Sequence, residues 1–409
     1  MNIGYCSCLL PEEKHLEERA KGDLTGVSLH KFTRAMIEGV DSNLDHPVKV
    51  FNIINTLNYP KFPQLIFHNE IWSHVKGSED YHIGYINLFG IKYITQEIGL
   101  YRKLDQWIKS LHDEKVLICV HHIYYPAMKA ALRIKHKYPN QVKTCLITGD
   151  MTGKYGLGAQ NPHSIKEKMI DKMGYKIESM GKEFDCYVFA TKYMAEGYDA
   201  EKKPFEVVEC CYSQTSNKDI IHESKLMTNK KVIFYAGSLR IEYGIEHLLK
   251  AFELIRDKDF ELWLAGGGNG EQLIRKYQDN DKRIKFFGFL TPNEVKERQK
   301  AATVLVSPRK SDKTFVKYSF PSKTMECLAS GKPYIAHRLP CEPPEYGIHI
   351  QYPKDESDRA LADKIYEICE LDSDSRNALG EKARNFILEQ KNAHAMTKKV
   401  VSMWRSVLQ

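Results

Sequence analysis

No apolar run in this 409-residue chain reaches the roughly 20 residues that a membrane-spanning helix needs. The start, Met1 to Leu10, has neither a basic flank nor a long apolar core, so it reads as a first strand and not as an export signal. The ten cysteines contain no C-x-x-C pair, which argues against a zinc site. Cys119, Cys145 and Cys186 sit in apolar, strand-like runs, as reduced core thiols do. Cys6 and Cys8 share a strand face and Cys210 and Cys211 are adjacent, so no disulfide framework emerges and a cytoplasmic setting is expected. A G-x-G-x-x-G fingerprint is missing too, because Glu271 follows the Gly266–Gly270 run, and a dinucleotide dehydrogenase is disfavoured. No nucleic-acid-binding module is present. Acid is scarce between Lys129 and Lys176, where ten Lys or Arg face three Asp or Glu within a chain of net charge +7. Such a stretch is either a solvated face or a surface for anionic lipid at the inner side of a membrane, and nucleic acid is not an expected partner.

What is present is alternation. A length of 409 residues exceeds one ordinary core, so two domains are expected. Lys231–Gly237, Phe260–Gly266, Arg283–Phe289 and Thr303–Pro308 read as strands separated by helical patterns, with Gly347–Gln351 as a further strand. Thr291-Pro-Asn-Glu294 is a capping box that starts a helix. In the first half, Val116–Val120, Thr144–Thr148 and Cys186–Ala190 are apolar strands, and helices are expected around Met128–Ile134 and from Thr25 through Ile37. Repeated βα units imply parallel sheets with helices on both faces. The expected division is 1–212, a hinge over 213–230, a second domain over 231–390, and a terminal helix within 391–409.

The most informative segment is Tyr318 to Pro333, YSFPSKTMECLASGKP. Pro321 suits a first helical turn. The N–H groups of Ser322, Lys323 and Thr324 would then point out of the helix start, where the helix dipole favours an anion. The Lys323 ammonium adds a full charge, and Glu326 lies one turn on, where a carboxylate can accept hydrogen bonds from sugar hydroxyls. Gly331 ends the helix. An anion site beside a diol acceptor fits a nucleoside diphosphate; an ordinary amphipathic helix after a loop is the alternative.

This segment resembles the nucleotide-binding core of retaining, family-4 type glycosyltransferases of the GT-B fold. The resemblance implies two Rossmann-like parallel-sheet domains facing across a cleft, with the terminal helix packing back on the first. It implies transfer of a sugar, with retention, from a nucleotide-diphosphate donor, UDP- or GDP-linked, to a hydroxyl of a glycan or lipid-linked oligosaccharide, without a metal or cofactor. In that family two glutamates stand seven residues apart and the second binds the ribose. Glu326 matches the second, whereas the first position holds Tyr318. After the first strand of the second domain the family carries Arg and Lys, where this chain has Ser238 and Tyr243. Positive charge is then expected from Arg240, Arg309 and Lys323, with solvated loop charge as the alternative for the two arginines. Gly288 and Phe289 fall at a turn beside the base in relatives, with a purely structural turn as the alternative; Gly237 is expected at the donor nucleotide, and Gly26 at a helix entry near the diphosphate. Asp150 remains from a family His-Asp region and is expected near reacting hydroxyls, or in a turn. Asp150, Lys323 and Arg309 form the expected catalytic group. His121 and His122 follow a strand and are expected either to line the acceptor side or, more simply, to be satisfied strand-end histidines. Two rival readings share the phosphate site: a GT-B sugar-nucleotide epimerase and a non-catalytic sugar-nucleotide-binding or scaffold protein.

Overall fold

A computed structural model describes residues 1–9, 27–151, 165–213, 226 and 228–409. The chain divides into two compact units, the first made of residues 1–213, 318–320 and 392–409, the second of 214–317 and 321–391.

The first unit contains strands β1 (Asn2–Ser7), β2 (Lys49–Asn52), β3 (Ile66–Phe67), β4 (Glu70–Trp72), β5 (Asp80–His82), β6 (Tyr85–Ile86), β7 (Val116–His121), β8 (Val142–Thr148), β9 (Cys186–Phe189) and β10 (Phe205–Val207). Its helices are α1 (Val27–Asp41), α2 (Ile91–Ser110), α3 (Tyr125–Lys137), α4 (Ile165–Gly181) and the single turn α5 (Met194–Gly197). Eight strands form one sheet in the order β10-β9-β8-β7-β1-β2-β5-β4, while β3 and β6 pair separately. All neighbours in the large sheet are parallel except β4, which is antiparallel to β5. Strands β1, β7, β8 and β9 are covered on both faces, which is why they read as continuous apolar runs and not as alternation.

The second unit is a five-stranded parallel sheet in the order β13-β12-β11-β14-β15. These strands are β11 (Lys231–Ser238), β12 (Phe260–Gly267), β13 (Ile284–Phe286), β14 (Val304–Ser307) and β15 (Tyr334–Ala336). Its helices are α6 (Ile245–Leu254), α7 (Glu271–Asn280), α8 (Pro292–Ala301), α9 (Lys323–Ala329), α10 (Asp358–Glu370) and α11 (Ser373–Gln390). The expected capping box is formed: Thr291 accepts from the Glu294 amide, and the Glu294 carboxylate accepts from the Thr291 amide, with Pro292 in the first turn. Leu248, Leu249 and Phe252 of α6 pack on Ile233 and Leu262 of the sheet, the helical face that the spacing predicts. The expected strand at 347–351 is instead a 3-10 turn over Pro344–Ile348 followed by one parallel bridge, Ile335 to Gln351. Pro343 and Pro344 cannot donate to a ladder, so pairing begins only beyond them.

The chain then returns to the first unit as α12 (Ala393–Leu408), which packs against α1. Trp404 is fully buried, and its indole N–H donates to the Cys145 sulfur at 3.3 Å. Gly39 of α1 permits this approach, since a Cβ there would lie 2.2 Å from the Ala393 carbonyl oxygen. All ten cysteines are free. Among the described residues, no helix is long and apolar enough to cross a membrane. Four cations of the basic Lys129–Lys176 stretch are paired with carboxylates: Lys129 and Arg133 with Glu97, Lys135 with Asp185, and Lys137 with Asp105. The excess positive charge read from that stretch is therefore partly neutralised by neighbouring elements.

Candidate functional site

Parallel α/β sheets present ligand sites beyond the carboxyl ends of their strands. In the second unit, that edge is built from loops that meet backbone to backbone. The Leu239 amide donates to the Gly267 carbonyl at 2.9 Å, the Gly270 amide to the Leu239 carbonyl at 2.8 Å, and the Gly266 amide to the Gly288 carbonyl at 2.7 Å. Gly266 has φ +127°, and a Cβ there would lie 1.8 Å from the Gly237 carbonyl oxygen, so only glycine lets these strand ends close. Between ligand approach and loop geometry, the Gly266–Gly270 run is thus accounted for by geometry. Gly237 sits at the end of β11 beside the Tyr235 hydroxyl. Gly288 turns with φ +64° and projects Phe289, which is 85% exposed, over the face of Gly267.

The charged groups gather on the next two loops. The Arg309 guanidinium lies 4.3 Å from the ring centre of Tyr243 and 5.6 Å from that of Phe315. Tyr243 is the position where the resemblance leads one to expect lysine. The aromatic ring there carries a cation delivered from the β14 loop. Arg240 is exposed in the β11 loop. Lys323 and Glu326 are joined, ammonium to carboxylate, at 2.6 Å. Desolvation pulls the Lys323 ammonium down, but the Glu326 charge outweighs it and raises the group above its ordinary value. Burial pushes the Tyr235 hydroxyl up to about 12, with Arg309 opposing and Cys327 of α9 adding to the rise. Tyr235 thus feels both the Arg309 charge and the Cys327 thiol of α9.

The start of α9 differs from the expectation. The helix begins at Lys323, with Ser322 as its exposed N-cap, and Pro321 lies outside it. The Thr324 amide donates to the Pro321 carbonyl at 2.9 Å, and its buried hydroxyl lies 3.3 Å from that of Tyr334. Thr324 thus closes the turn from inside, where its amide was expected to point outward. A 3-10 contact tightens the first turn and uses that donor. Tyr318, at the first-glutamate position, is buried, and its hydroxyl donates to the Glu196 carboxylate at 3.1 Å.

One group at this edge was not singled out from sequence. Burial raises the Glu342 carboxyl to about 7, against opposing hydrogen bonding from Tyr352 and the charge of Arg338. It lies in the loop after β15, next to Cys341, whose thiol senses the Arg309 charge. Pro340-Cys-Glu-Pro343 has no spacing signature, so only the fold shows it.

In the first unit, Asp150 is exposed just after β8, in a turn where its amide and carbonyl both bond the Thr148 hydroxyl, at 3.2 and 2.8 Å. Desolvation raises its carboxyl above the ordinary value. Gly26 lies outside the described residues. A cavity of about 120 Å³ opens at the carboxyl ends of β1 and β7, lined by Cys6, Ser7, His121, His122 and Tyr124. Strand order reverses there, since β1 lies between β7 and β2. His121 Nδ1 is 2.8 Å from the Tyr5 hydroxyl, and its buried Nε2 has no protein partner among the described residues. His122 adopts φ +72°, with Nε2 3.1 Å from the Thr33 hydroxyl. Burial and the neighbouring His122 hold His121 well below the ordinary histidine range, so it is neutral. Hence His121 is buried but only half satisfied, where a satisfied strand-end histidine was the simpler expectation.

Two Asp-x-Asp triplets, Asp279–Asp281 and Asp372–Asp374, read as chance in the sequence and each has a structural partner. Asp281 binds Arg283 at 2.7 Å, and Asp372 caps α11 by accepting from the Ser375 amide. Among the described residues no group of three or more metal-ligating side chains is gathered.

Residues 216–386 match the family described as Glycosyl transferases group 1. No curated protein matches the chain by sequence. Sucrose-phosphate synthase from Thermosynechococcus elongatus is similar in structure over 100% of this chain and 99% of its own, with a TM-score of 0.66 and 15% identity. HepE of Anabaena, solved in complex with UDP, is similar over 99% of this chain and 100% of its own, at TM-score 0.60 and 11% identity. A mutant of S. aureus TarM, solved with fondaparinux, alpha-GlcNAc-glycerol and UDP, is similar over 100% of both chains, at TM-score 0.60 and 11% identity. The chain has the fold of the GT-B glycosyltransferases, and its second unit carries the stretch that matches the group 1 transferases.

Proposed function

We propose that this protein is a retaining glycosyltransferase. It moves a sugar from a nucleoside-diphosphate donor to a hydroxyl of a glycan or lipid-linked acceptor, without a metal or cofactor, on the cytoplasmic side. The observation that carries this reading is the presence, on loops that follow the strands of the second sheet, of the Arg309–Tyr243 stack and the Lys323–Glu326 pair.

Each residue has a role in this reading. Glu326 accepts the ribose hydroxyls while keeping Lys323, because a carboxylate offers about four lone-pair sites and an ammonium three donors. Lys323, Arg309 and the exposed Arg240 meet the diphosphate, with the Ser322 amide. Phe289 offers an exposed ring for the base, beside the Gly288 turn and near Gly237. In the reaction the bond from the anomeric carbon to the diphosphate oxygen breaks, and the acceptor oxygen bonds that carbon. The acceptor proton leaves to a diphosphate oxygen. Negative charge growing on the leaving diphosphate is stabilised by Lys323 and Arg309 as fixed charges. Asp150 and the neutral His121 belong to the acceptor side.

The test is thermal stability against UDP, GDP, ADP and their sugar conjugates, with Glu326→Ala as control. A ligand at 100 times its Kd stabilises by about 2.7 kcal/mol. Selective stabilisation by one nucleoside diphosphate, lost in the variant, is the expected result. Equal stabilisation of both proteins would remove Glu326 from the site. The buried Tyr318 at the first-glutamate position keeps a non-catalytic binding protein as the second reading. Incubating a sugar nucleotide with and without mixed glycan acceptors separates the cases: transfer, acceptor-independent epimerisation, or binding without turnover.

A further inference from the structure

Helix α2 is inverted over its first two turns. Lys92, Gln96 and Glu97 face inward and are buried, while Ile91 and Ile94 face out. Glu97 is matched by two cations, Lys129 at 2.6 Å and Arg133 at 2.7 Å. Lys92 is not matched. Its ammonium, on a residue only 1% exposed, donates to the Thr56 carbonyl and lies 5.8 Å from the ring centre of Tyr85. An ammonium has three donors, and among the described residues no carboxylate meets this one. Burial lowers it to about 8, and the one neighbour whose charge would oppose that fall is the Cys8 thiol. One turn along, the Gln96 side chain is fully buried. Its Oε1 accepts from the Tyr124 hydroxyl at 2.5 Å, and its Nε2 has no partner among the described residues.

Such groups destabilise a fold. A buried charge is ordinarily paired, and a buried amide nitrogen without an acceptor forfeits its hydrogen bond to water. Positions 92 and 96 are four apart, so the two groups are neighbours on one helix face. Packing does not require either, because an apolar side chain of similar size buries at lower cost. Unpaired buried donors in a native fold call for a partner outside the chain. A water would satisfy the amide but would leave the ammonium charge uncompensated, whereas an anion answers both.

A cavity adjoins these donors. Cys8, the neighbour of Lys92, and Tyr124, the partner of Gln96, both line the space of about 120 Å³ at the carboxyl ends of β1 and β7. That volume has room for a phosphate or carboxylate group, since a water takes only about 30 Å³. His121 lines it as well, and its buried Nε2 has no partner among the described residues. No Asp or Glu is among the lining residues, so an anion there meets no like charge on the cavity wall. Lys92 has only the Thr56 carbonyl to release, and exchanging it for an anion replaces a neutral acceptor by a charged, stronger one. We propose that Lys92, with Gln96, binds an anionic group, a phosphate ester or a carboxylate, carried by the acceptor beside the hydroxyl that reacts. That the anion belongs to the acceptor rests on the transferase reading above; the anion site itself rests on the first unit alone.

The experiment is dose-dependent thermal stability of the full chain, with UDP, GDP and ADP present together to occupy the donor site. The probes are glucose 6-phosphate, inorganic phosphate, glucuronate and uncharged glucose. The expected result is that a charged probe binds at least tenfold more tightly than glucose: the two phosphates if the group is a phosphate ester, glucuronate if it is a carboxylate. Lys92→Met should weaken that binding at least tenfold, leave the response to nucleotides unchanged, and melt at or above the native temperature without ligand, because it removes an unpaired buried charge. Gln96→Glu keeps an acceptor for Tyr124 and gives Lys92 an internal carboxylate, so it should abolish the anion effect in a folded protein. The proposal is overturned if no charged probe stabilises the native chain, if the effect survives in both variants, or if Lys92→Met melts well below the native chain, which would make the ammonium a structural group. An anion effect without any response to nucleotides keeps the anion site and removes the transferase reading; a nucleotide response without an anion effect does the reverse.

Discussion

The two units are parallel sheets of one class, yet their carboxyl edges are prepared in opposite ways. In the second unit, loops close on one another through backbone hydrogen bonds at Leu239, Gly266 and Gly270, and Arg240 and Phe289 stand outside that packing. In the first unit, the edge is closed by side chains: Tyr5 on His121 and Thr33 on His122, around a small cavity. Glycine loops leave the Arg240 charge exposed, whereas the first unit's edge holds the neutral imidazole of His121. Sheet topology sets where each edge opens, and the loop residues set its charge.

The largest test of this contrast is Trp404→Ala. Removing a fully buried indole costs about 3–5 kcal/mol, and the loss is expected in the unfolding transition of the first unit. A urea melt followed by probes placed in each unit reads it. An equal shift in the second unit would mean that α12 supports both.

Next comes Gly266→Ala. A Cβ 1.8 Å from the Gly237 oxygen, at φ +127°, forces the loops apart, with an expected cost of about 3 kcal/mol in the second unit. Gly288→Ala is its control, since φ is +64° but no atom lies within 4 Å, and about 1 kcal/mol is expected. Similar costs in the two variants would show that backbone strain, and not loop closure, dominates.

Arg309→Lys keeps the charge but loses the planar stack on Tyr243. Nucleotide affinity measured by calorimetry is expected to fall about tenfold, or 1.4 kcal/mol. Unchanged affinity would reduce Arg309 to a simple charge.

The smallest effects are in pH dependence, and they have opposite signs in the two units. Burial alone would lower His74 in the first unit, but hydrogen bonds to Asp41 and Asp80 push it to about 9. Its contribution is full below the unfolded value of about 6.5 and is lost as pH rises through about 9. In the second unit, His247 Nε2 and His337 Nε2 lie 2.9 Å apart, and burial and His247 lower His337 to about 4. That contribution is present above about 6.5 and is lost as pH falls toward about 4. His74→Asn should flatten the alkaline limb of the first transition, and His337→Gln the acid limb of the second. Slopes unchanged by either variant would remove the assignment.

The second unit was the more legible from sequence. Strands β11 to β13 each run into glycine, and the Thr291–Glu294 box marks a helix start with a local signal. Strands β3 to β6 escaped notice because they are two or three residues long, too short for periodicity to register. At the candidate site, Lys323, Glu326 and Arg309 were legible as residue types near strand and helix ends. The pairing of Lys323 with Glu326, the engaged Thr324 amide and the Arg309–Tyr243 stack were not, because each depends on distances across a turn or between loops. Glu342 and the half-satisfied His121 carry no spacing pattern at all.

By itself the sequence determined that β and α alternate, that β7, β8 and β9 are buried strands, that α8 begins at its capping box, and which face α6 turns to the sheet. Those properties come from neighbours within about one helical turn or strand, where propensity, capping and hydrophobic period act directly. Tertiary structure decided strand order, the burial of Trp404 of α12 against Cys145, the charge states of His74 and His337, and the outward turn of Ile91 and Ile94 on α2. Each of these depends on partners distant along the chain, such as Lys129 and Arg133 for Glu97, and a desolvated or paired group takes its energy from whatever folding places beside it.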